Sequence, residues 1–153
     1  GAETVIDAYC GTGTIGLVAA RRGAARVIGV DSVPSAIRDA ANNARHNGVE
    51  NAEFVTQDAT AFMKELEASE ERPQPLVLLM DPPRAGSAPE FLEAATSLAP
   101  ERIVYISCNP ATQARDVRQL VESGYEVRAV RPVDMFPHTE HVEAVVLMSR
   151  VKE

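Results

Sequence analysis

The stretch Val5–Leu17, with the sequence VIDAYCGTGTIGL, constrains the fold of this chain more than any other. An apolar run breaks into glycines at positions 11, 13 and 16, and a helical pattern follows. Glycine lets the backbone turn sharply and approach a ligand closely, and a helix that starts there directs unpaired N–H groups at the loop. The stretch therefore predicts a strand, a turn and a helix that hold a nucleotide-like cofactor, with Gly11 and Gly13 beside it.

Downstream, apolar runs alternate with helical segments. We predict strands at 5–9, 26–30, 52–55, 76–80 and 102–107, and helices at 14–22, from Pro34 to a stop at Gly48, 59–68, 89–99 and 111–122. The last two strands, 125–132 and 142–148, have no helix between them and are expected to pair antiparallel. This order predicts an α/β fold, a mostly parallel doubly wound sheet that ends in an antiparallel strand pair.

Length and charge limit the possible functions. A chain of 153 residues makes one domain, which we expect to be part of a longer polypeptide. We find no apolar run long enough to span a membrane, and the two cysteines have no metal-ligand spacing, so we expect a cytoplasmic protein without a metal. A net charge of −7 is unusual for a protein that holds nucleic acid by itself.

Four polar residues follow predicted strands and are expected at one edge of the sheet: Asp31, Asp58, Asp81 and Cys108. A nicotinamide dinucleotide explains the glycines and Asp31, which lies twenty residues after Gly11. S-adenosylmethionine explains more, because Asp31 can accept from its ribose hydroxyls and Asp58 from its adenine amino group. Asp58 has an alternative role as the N-cap of the helix that follows.

Four motifs carry a family resemblance: DAYCGTGTIG at 7–16, DPPR at 81–84, SCNP at 107–110 and MFPHTEHVE at 135–143. With them the chain resembles the RNA (uracil-5-)-methyltransferases, a branch of the class I S-adenosylmethionine-dependent methyltransferases. The resemblance implies a Rossmann-like fold, S-adenosylmethionine as cofactor and S-adenosylhomocysteine as product. Glutamate is usual in the family where this chain has Asp31. The implied cofactor-binding positions are Tyr9, Thr14, Asp31, Asp58 and Asp81.

The resemblance also implies that Cys108 is the nucleophile and Glu143 the general base. Carbon 5 of uracil is a poor nucleophile, and a thiolate added at carbon 6 makes it enolate-like. A carboxylate can then remove the carbon 5 proton so that the cysteine leaves. The alternatives are a small core residue for Cys108 and an exposed strand start for Glu143. Cys10 is expected to pack behind the glycine turn rather than pair with Cys108.

Two residues are candidates for substrate contact. Arg84 can pair with an RNA phosphate or with the target base. His138 is expected to order its loop by hydrogen bonds and to contact RNA. A metal site at His138 and His141 is not expected, because the sequence offers no third metal ligand close to them.

The acidic chain lacks a basic surface that would grip RNA. The resemblance implies RNA-binding domains upstream, so we expect the isolated chain to be a monomer that binds RNA weakly. The stretch 134–138 resembles the bacterial 23S ribosomal RNA branch, which makes that RNA the expected substrate and transfer RNA the alternative. A second alternative is a cofactor-binding module that is inactive without those domains.

Overall fold

The computed structural model describes residues 1–133 and 142–152, which form a seven-stranded sheet with helices on both faces. The strands are β1 (Thr4–Ala8), β2 (Arg26–Asp31), β3 (Ala52–Thr56), β4 (Leu76–Met80), β5 (Arg102–Ser107), β6 (Tyr125–Val133) and β7 (Glu143–Arg150). The helices are α1 (Thr14–Arg21), α2 (Pro34–His46), α3 (Ala59–Ala68), α4 (Pro89–Ser97) and α5 (Pro110–Glu122). Each predicted element is present, with bounds that differ from the prediction only at the ends.

The helices begin where the sequence supplies capping residues. Asp58 caps α3 by accepting a hydrogen bond from the Ala61 N–H at 3.0 Å, and the Asn109 side chain accepts from the first turn of α5. Proline occupies the first turn of α2, α4 and α5, where its missing N–H costs nothing. In the part of the chain that the structure describes, no helix has the length and apolar character that a bilayer crossing requires.

The strand order is β3-β2-β1-β4-β5-β7-β6, and the first five strands of the chain run parallel. β7 lies antiparallel between β5 and β6, which confirms the predicted antiparallel pair. Because the order reverses at β1 and β4, their carboxyl ends flank the crevice where open α/β sheets bind ligands. This position places the glycine turn after β1 beside the loop after β4.

The core is built on the alternation of side chains along β4. Leu76, Leu78 and Met80 are buried on one face of the sheet, under α3, α4 and α5, together with Phe91. Full burial of each such side chain contributes about 2 kcal/mol. On the other face, Leu17 of α1 packs on the sheet in a smaller cluster. The rigid core holds the strand ends in fixed relative positions.

Candidate active site

The glycine turn after β1 is bound to the end of β2. Gly11 and Gly13 have φ values of 55° and 86°, in the left-handed region that glycine adopts without strain. The Gly11 N–H donates to Asp31 Oδ2 at 2.9 Å, and the Val33 N–H donates to Asp31 Oδ1 at 2.9 Å. The two backbone amides therefore fix the Asp31 carboxylate at the edge of the sheet.

A second carboxylate, that of Asp7, holds the first turn of α1. Asp7 is buried, and its Oδ2 accepts from the Gly16 N–H at 3.0 Å. A Cβ atom at Gly16 would lie only 2.8 Å from that oxygen, so a glycine permits this contact. Burial, assisted by the charges of Asp81 and Asp31, raises the pKa of Asp7 to about 7. The role of Asp7 was not predicted, although an acidic residue inside an apolar strand is a signal for a buried polar contact.

The strand-end acids meet around a cavity of about 410 Å³. Its lining residues are Tyr9, Asp31, Ser32, Asp58, Ala59, Asp81 and Pro83. Acidic groups from the ends of three strands are acceptors for hydroxyl and amino groups, and they favour a cation. These residues therefore fit a nucleoside cofactor that carries a positive charge. Asp58 caps α3, which is the alternative role predicted for it, and it also lines the cavity.

A slightly larger cavity, of about 470 Å³, lies between β2, β3 and α3. It contains none of the strand-end acids, and Arg26 at the start of β2 lines it. Ligands of open α/β sheets bind at the carboxyl ends of the strands. The smaller, acidic cavity is therefore the candidate site.

Tyr9 connects the end of β1 to the loop after β4. Its φ of 60° is unusual for a residue with a side chain and costs roughly 1 kcal/mol or more. The ring packs against Phe91 with 5.4 Å between ring centroids, and its hydroxyl lies 3.2 Å from Ser87 Oγ. These contacts hold the Tyr9 side chain at the wall of the cavity.

Asp81, Cys108 and Glu143 come from three neighbouring strands, β4, β5 and β7. Ser107 pairs with Ala144, which is the last pair between the antiparallel strands β5 and β7. Cys108 follows Ser107 and Glu143 precedes Ala144, so both are one residue beyond this pair. Partial burial and the charge of Glu143 raise the pKa of Asp81 to about 6. Glu143 Oε2 is buried, and no hydrogen-bond partner for it is found among the residues that the structure describes. The fold thus brings a thiol and two carboxyl groups to one edge.

Cys10 differs from Cys108 in its surroundings. Burial and the nearby carboxylates of Asp7 and Asp31 raise the pKa of the Cys10 thiol to about 12. Its sulfur packs so closely on β2 that a Cβ at Gly29 would lie 3.1 Å from it. Both cysteines are free, in agreement with the expectation that they do not pair, and β4 separates the strands that precede them.

The loop after β4 carries Arg84, whose side chain is exposed. The Arg84 carbonyl accepts from Asn109 Nδ2 at 3.0 Å and from Thr112 Oγ1 at 2.8 Å. The loop is therefore fastened to the start of α5, directly after Cys108.

One candidate, Thr14, lies elsewhere. Thr14 begins α1 and lines a small depression with Leu17 and Asn43, so the structure does not bring it to the 410 Å³ cavity. His138 lies outside the described residues. Across residues 1–133 and 142–152, no group of three or more His, Cys, Asp or Glu side chains has an arrangement that would hold a metal ion.

A buried polar cluster beside the site was missed by the sequence analysis. It consists of Ser87, Tyr105, Gln113 and Asp116, each with at most 4% of its surface exposed. The signal available was helical spacing, because Gln113, Asp116 and Leu120 fall on one face of α5 and all three are buried. A charged residue in a helix is usually exposed, which is why Asp116 was overlooked.

Comparison with known proteins identifies relatives over the whole chain. The family described as tRNA (Uracil-5-)-methyltransferase matches residues 2–151. A Bacillus cereus protein named "Uncharacterized RNA methyltransferase" is 49% identical over 153 residues, which is 100% of this chain and 33% of that protein. A second of that name, from Caldanaerobacter subterraneus, is 45% identical over 97% of this chain and 32% of its own length. The chain thus spans about a third of the length of these relatives.

Solved structures share the fold. The Pyrococcus abyssi tRNA (uracil-54, C5)-methyltransferase, in complex with S-adenosyl-L-homocysteine, superposes with a TM-score of 0.82 at 38% identity. The superposition covers 97% of this chain and 34% of that one. TrmN from Thermus thermophilus superposes with a TM-score of 0.70 at 21% identity, over 97% of this chain and 44% of that one, which shows the fold alone.

Proposed function

The chain belongs to the tRNA (uracil-5-)-methyltransferase family, and on that premise we propose that it transfers a methyl group from S-adenosylmethionine to carbon 5 of a uridine in RNA. The observation that supports the proposal is the register of the adjacent strands β5 and β7, whose last pair, Ser107 and Ala144, directly precedes Cys108 and follows Glu143. Asp81, at the end of the neighbouring strand β4, lines the acidic cavity.

In this proposal the cavity binds the cofactor, which supplies an electrophilic methyl carbon when bound. Asp31 accepts hydrogen bonds from the ribose hydroxyls, and Asp58 accepts from the adenine amino group. Tyr9 forms a wall of the cavity, and Gly11 and Gly13 let the backbone approach closely. Asp81 binds the amino group of the cofactor. Among the strands whose ends line the cavity, the strand that precedes Asp81, β4, is the one next to β5, which precedes Cys108.

Cys108 forms the covalent bond to substrate. Its thiolate would add to carbon 6 of uracil, which places electron density on carbon 5. Carbon 5 would then take the methyl group as the methyl carbon–sulfur bond breaks, with S-adenosylhomocysteine as the leaving group. Glu143 accepts the proton from carbon 5, the carbon 5 to carbon 6 double bond forms again, and the thiolate leaves. The Glu143 oxygen that is buried without a partner in the described structure is available to receive that proton. Arg84 and His138 contact the RNA.

We further propose 23S ribosomal RNA as the substrate, because residues 134–138 resemble the ribosomal branch of the family. Transfer RNA is the second candidate, favoured by the description of the family and by the P. abyssi relative. The chain has a net charge of −7 and a third of its relatives' length, so RNA would be gripped mainly by parts outside it. A filter-binding assay that shows tight RNA binding by the isolated chain would contradict this.

The covalent step is tested by trapping. The intact protein is incubated with S-adenosylmethionine and RNA that contains 5-fluorouridine, where fluorine replaces the proton that Glu143 removes. Elimination is then blocked, so a protein–RNA band is expected to survive a denaturing gel. Substrate preference is read from the same assay, with 23S fragments and transfer RNA transcripts in separate reactions.

The two cysteines provide a matched pair of variants. Cys108→Ala is expected to abolish the trapped band, and Cys10→Ala is expected to retain it. Trapping by the Cys108 variant would defeat the assignment of the nucleophile. A wild-type protein that binds S-adenosylhomocysteine in a calorimetric titration and never traps RNA would instead be a cofactor-binding module. Binding of NAD without S-adenosylhomocysteine would favour the dehydrogenase alternative.

A further inference from the structure

The carboxylate of Asp116 lies in the middle of α5, and only 2% of the residue is exposed. Its Oδ2 accepts from the Tyr105 hydroxyl at 2.6 Å and from the Ser87 N–H at 2.9 Å. Its Oδ1 accepts from Nε and Nη2 of Arg115, each at 3.1 Å. Both oxygens are therefore used, and the proposed reaction gives none of these contacts a role.

Apart from Arg115, which precedes it on α5, Asp116 has partners in the loop between β4 and α4, residues 81–88, and in the strand that precedes Cys108. The loop passes directly over the carboxylate, since a Cβ at Gly86 would lie 2.6 Å from Asp116 Oδ2. Arg115 Nη2 donates to the Ala85 carbonyl at 2.8 Å, so the same pair of residues holds two points of the loop. Ser87 in turn contacts the Tyr9 hydroxyl through its Oγ.

These contacts form a continuous path across the candidate site. It runs from Tyr9 at the end of β1, through Ser87 in the loop, to Asp116 on α5 and Tyr105 on β5. Burial and the Asp116 carboxylate raise the pKa of the Tyr105 hydroxyl well above its ordinary value, so that hydroxyl stays protonated and remains a donor. A buried carboxylate with several donors keeps a defined geometry, because any displacement leaves a charge without partners.

We propose that Asp116 is a positioning residue of the active site, which fixes the loop that carries Asp81 and Arg84, and the side chain of Tyr9, relative to the strand end that carries Cys108. This inference rests on the proposed function. It predicts that weakening the Asp116 contacts impairs cofactor binding and RNA trapping more than the loss of stability alone explains.

Tyr105→Phe and Tyr125→Phe form the matched test. Both tyrosines are buried, and each hydroxyl donates one hydrogen bond of 2.6 Å, Tyr105 to Asp116 and Tyr125 to the Pro100 carbonyl. Tyr125 begins β6 and lines no part of the candidate site. Both substitutions are expected to lower the melting temperature, and Tyr105→Phe is expected to lower it more, because its hydroxyl donates to a charged acceptor.

The readouts are made on the intact protein at a temperature well below all melting transitions. They are the Kd for S-adenosylhomocysteine and the rate of trapping on 5-fluorouridine RNA. Tyr105→Phe is expected to raise the Kd and slow trapping, each by about 5- to 20-fold, the effect of one buried hydrogen bond. Tyr125→Phe is expected to change neither by more than about 2-fold, within the range of substitutions remote from a site.

Two variants of Asp116 itself remove its hydrogen bonds in part or completely, and they keep the test decisive if one tyrosine variant folds poorly. Asp116→Asn keeps an oxygen for Ser87 and Tyr105 and turns its NH₂ group toward Arg115, so it is expected to retain more binding than Asp116→Ala. Equal Kd values and trapping rates for the two tyrosine variants, or unchanged binding in folded Asp116→Ala, would overturn the inference. Failure of the wild-type protein to trap RNA would refute the proposed chemistry, whereas the S-adenosylhomocysteine affinities would still decide the role of Asp116.

Discussion

Asp81 directly follows β4 and Glu143 is the first residue of β7, and the two carboxyl groups interact. The carboxyl end of β5 lies between them. Partial burial and the negative charge of Glu143 together raise the pKa of Asp81 to about 6. The ionisation of Asp81, which is proposed to bind the cofactor, thus depends on the charge of Glu143, the proposed general base. Cys108 follows the intervening strand, β5.

This coupling predicts a pH dependence for cofactor affinity. Asp81 loses its charge as the pH falls through about 6, so the Kd for S-adenosylhomocysteine is expected to rise below that pH. Glu143→Gln removes a like charge, favours ionised Asp81 and shifts the midpoint to lower pH. Calorimetric titrations between about pH 5 and 8 measure both midpoints. An unchanged midpoint in the variant would show that the two groups are not coupled.

Loss of the general base is expected to arrest the reaction after methyl transfer. With ordinary uridine RNA and S-adenosylmethionine, Glu143→Gln is expected to accumulate a denaturation-resistant protein–RNA complex, because the carbon 5 proton stays in place and the thiolate cannot leave. Turnover is expected to fall by about 100-fold or more, the usual contribution of general base catalysis. The control is Glu122→Gln at the exposed end of α5. Normal turnover by the Glu143 variant would exclude Glu143 as the base.

Asp31→Asn is expected to weaken cofactor binding. Both oxygens of Asp31 accept from backbone N–H groups, and an asparagine offers only one oxygen to Gly11 and Val33. The loss of a charged acceptor predicts an increase of about 10- to 100-fold in the Kd for S-adenosylhomocysteine. Asp39→Asn, an exposed carboxylate on α2, is the control for the change in net charge. Equal affinities in the two variants would remove Asp31 from the site.

The raised pKa of Asp7 predicts how the free energy of unfolding changes with pH. Its pKa is raised from 3.8 to about 7 in the folded state, chiefly by burial, so the folded state binds more protons than the unfolded state between those values. The free energy of unfolding therefore falls as the pH rises toward 7, and the stability that Asp7 contributes at low pH is lost above it. Asp7→Asn keeps an oxygen for the Gly16 N–H and has no charge to bury.

Relative to wild type, Asp7→Asn is expected to gain roughly 3 kcal/mol between about pH 5 and pH 9. Urea unfolding of both proteins at the two pH values measures this difference. A stability difference between variant and wild type that does not change with pH would contradict the raised pKa of Asp7.

Local patterns in the sequence were sufficient to predict the elements of the fold. The alternation of apolar runs and helical segments predicted the parallel strands, and the absence of a helix between the last two strands predicted their antiparallel pairing. Strand ends also indicated that Asp31, Asp58 and Asp81 would meet, because parallel strands present their carboxyl ends at one edge. These predictions depend only on short-range chain geometry.

Long-range contacts were not predictable in the same way. From the sequence, Asp116 is expected to be an exposed helix residue, and only the fold shows its contacts with Tyr105 and Ser87. Likewise, only the packing of α1 on β1 shows that Asp7 accepts a hydrogen bond from Gly16. The pKa values of Asp7, Cys10 and Asp81 likewise depend on how much protein surrounds each group and which charges approach it. The sequence alone determined the type and order of the elements, because these follow from periodicity and turn residues. The tertiary structure alone decided which buried polar groups contact one another, because burial and distance are set by packing between segments far apart in the chain.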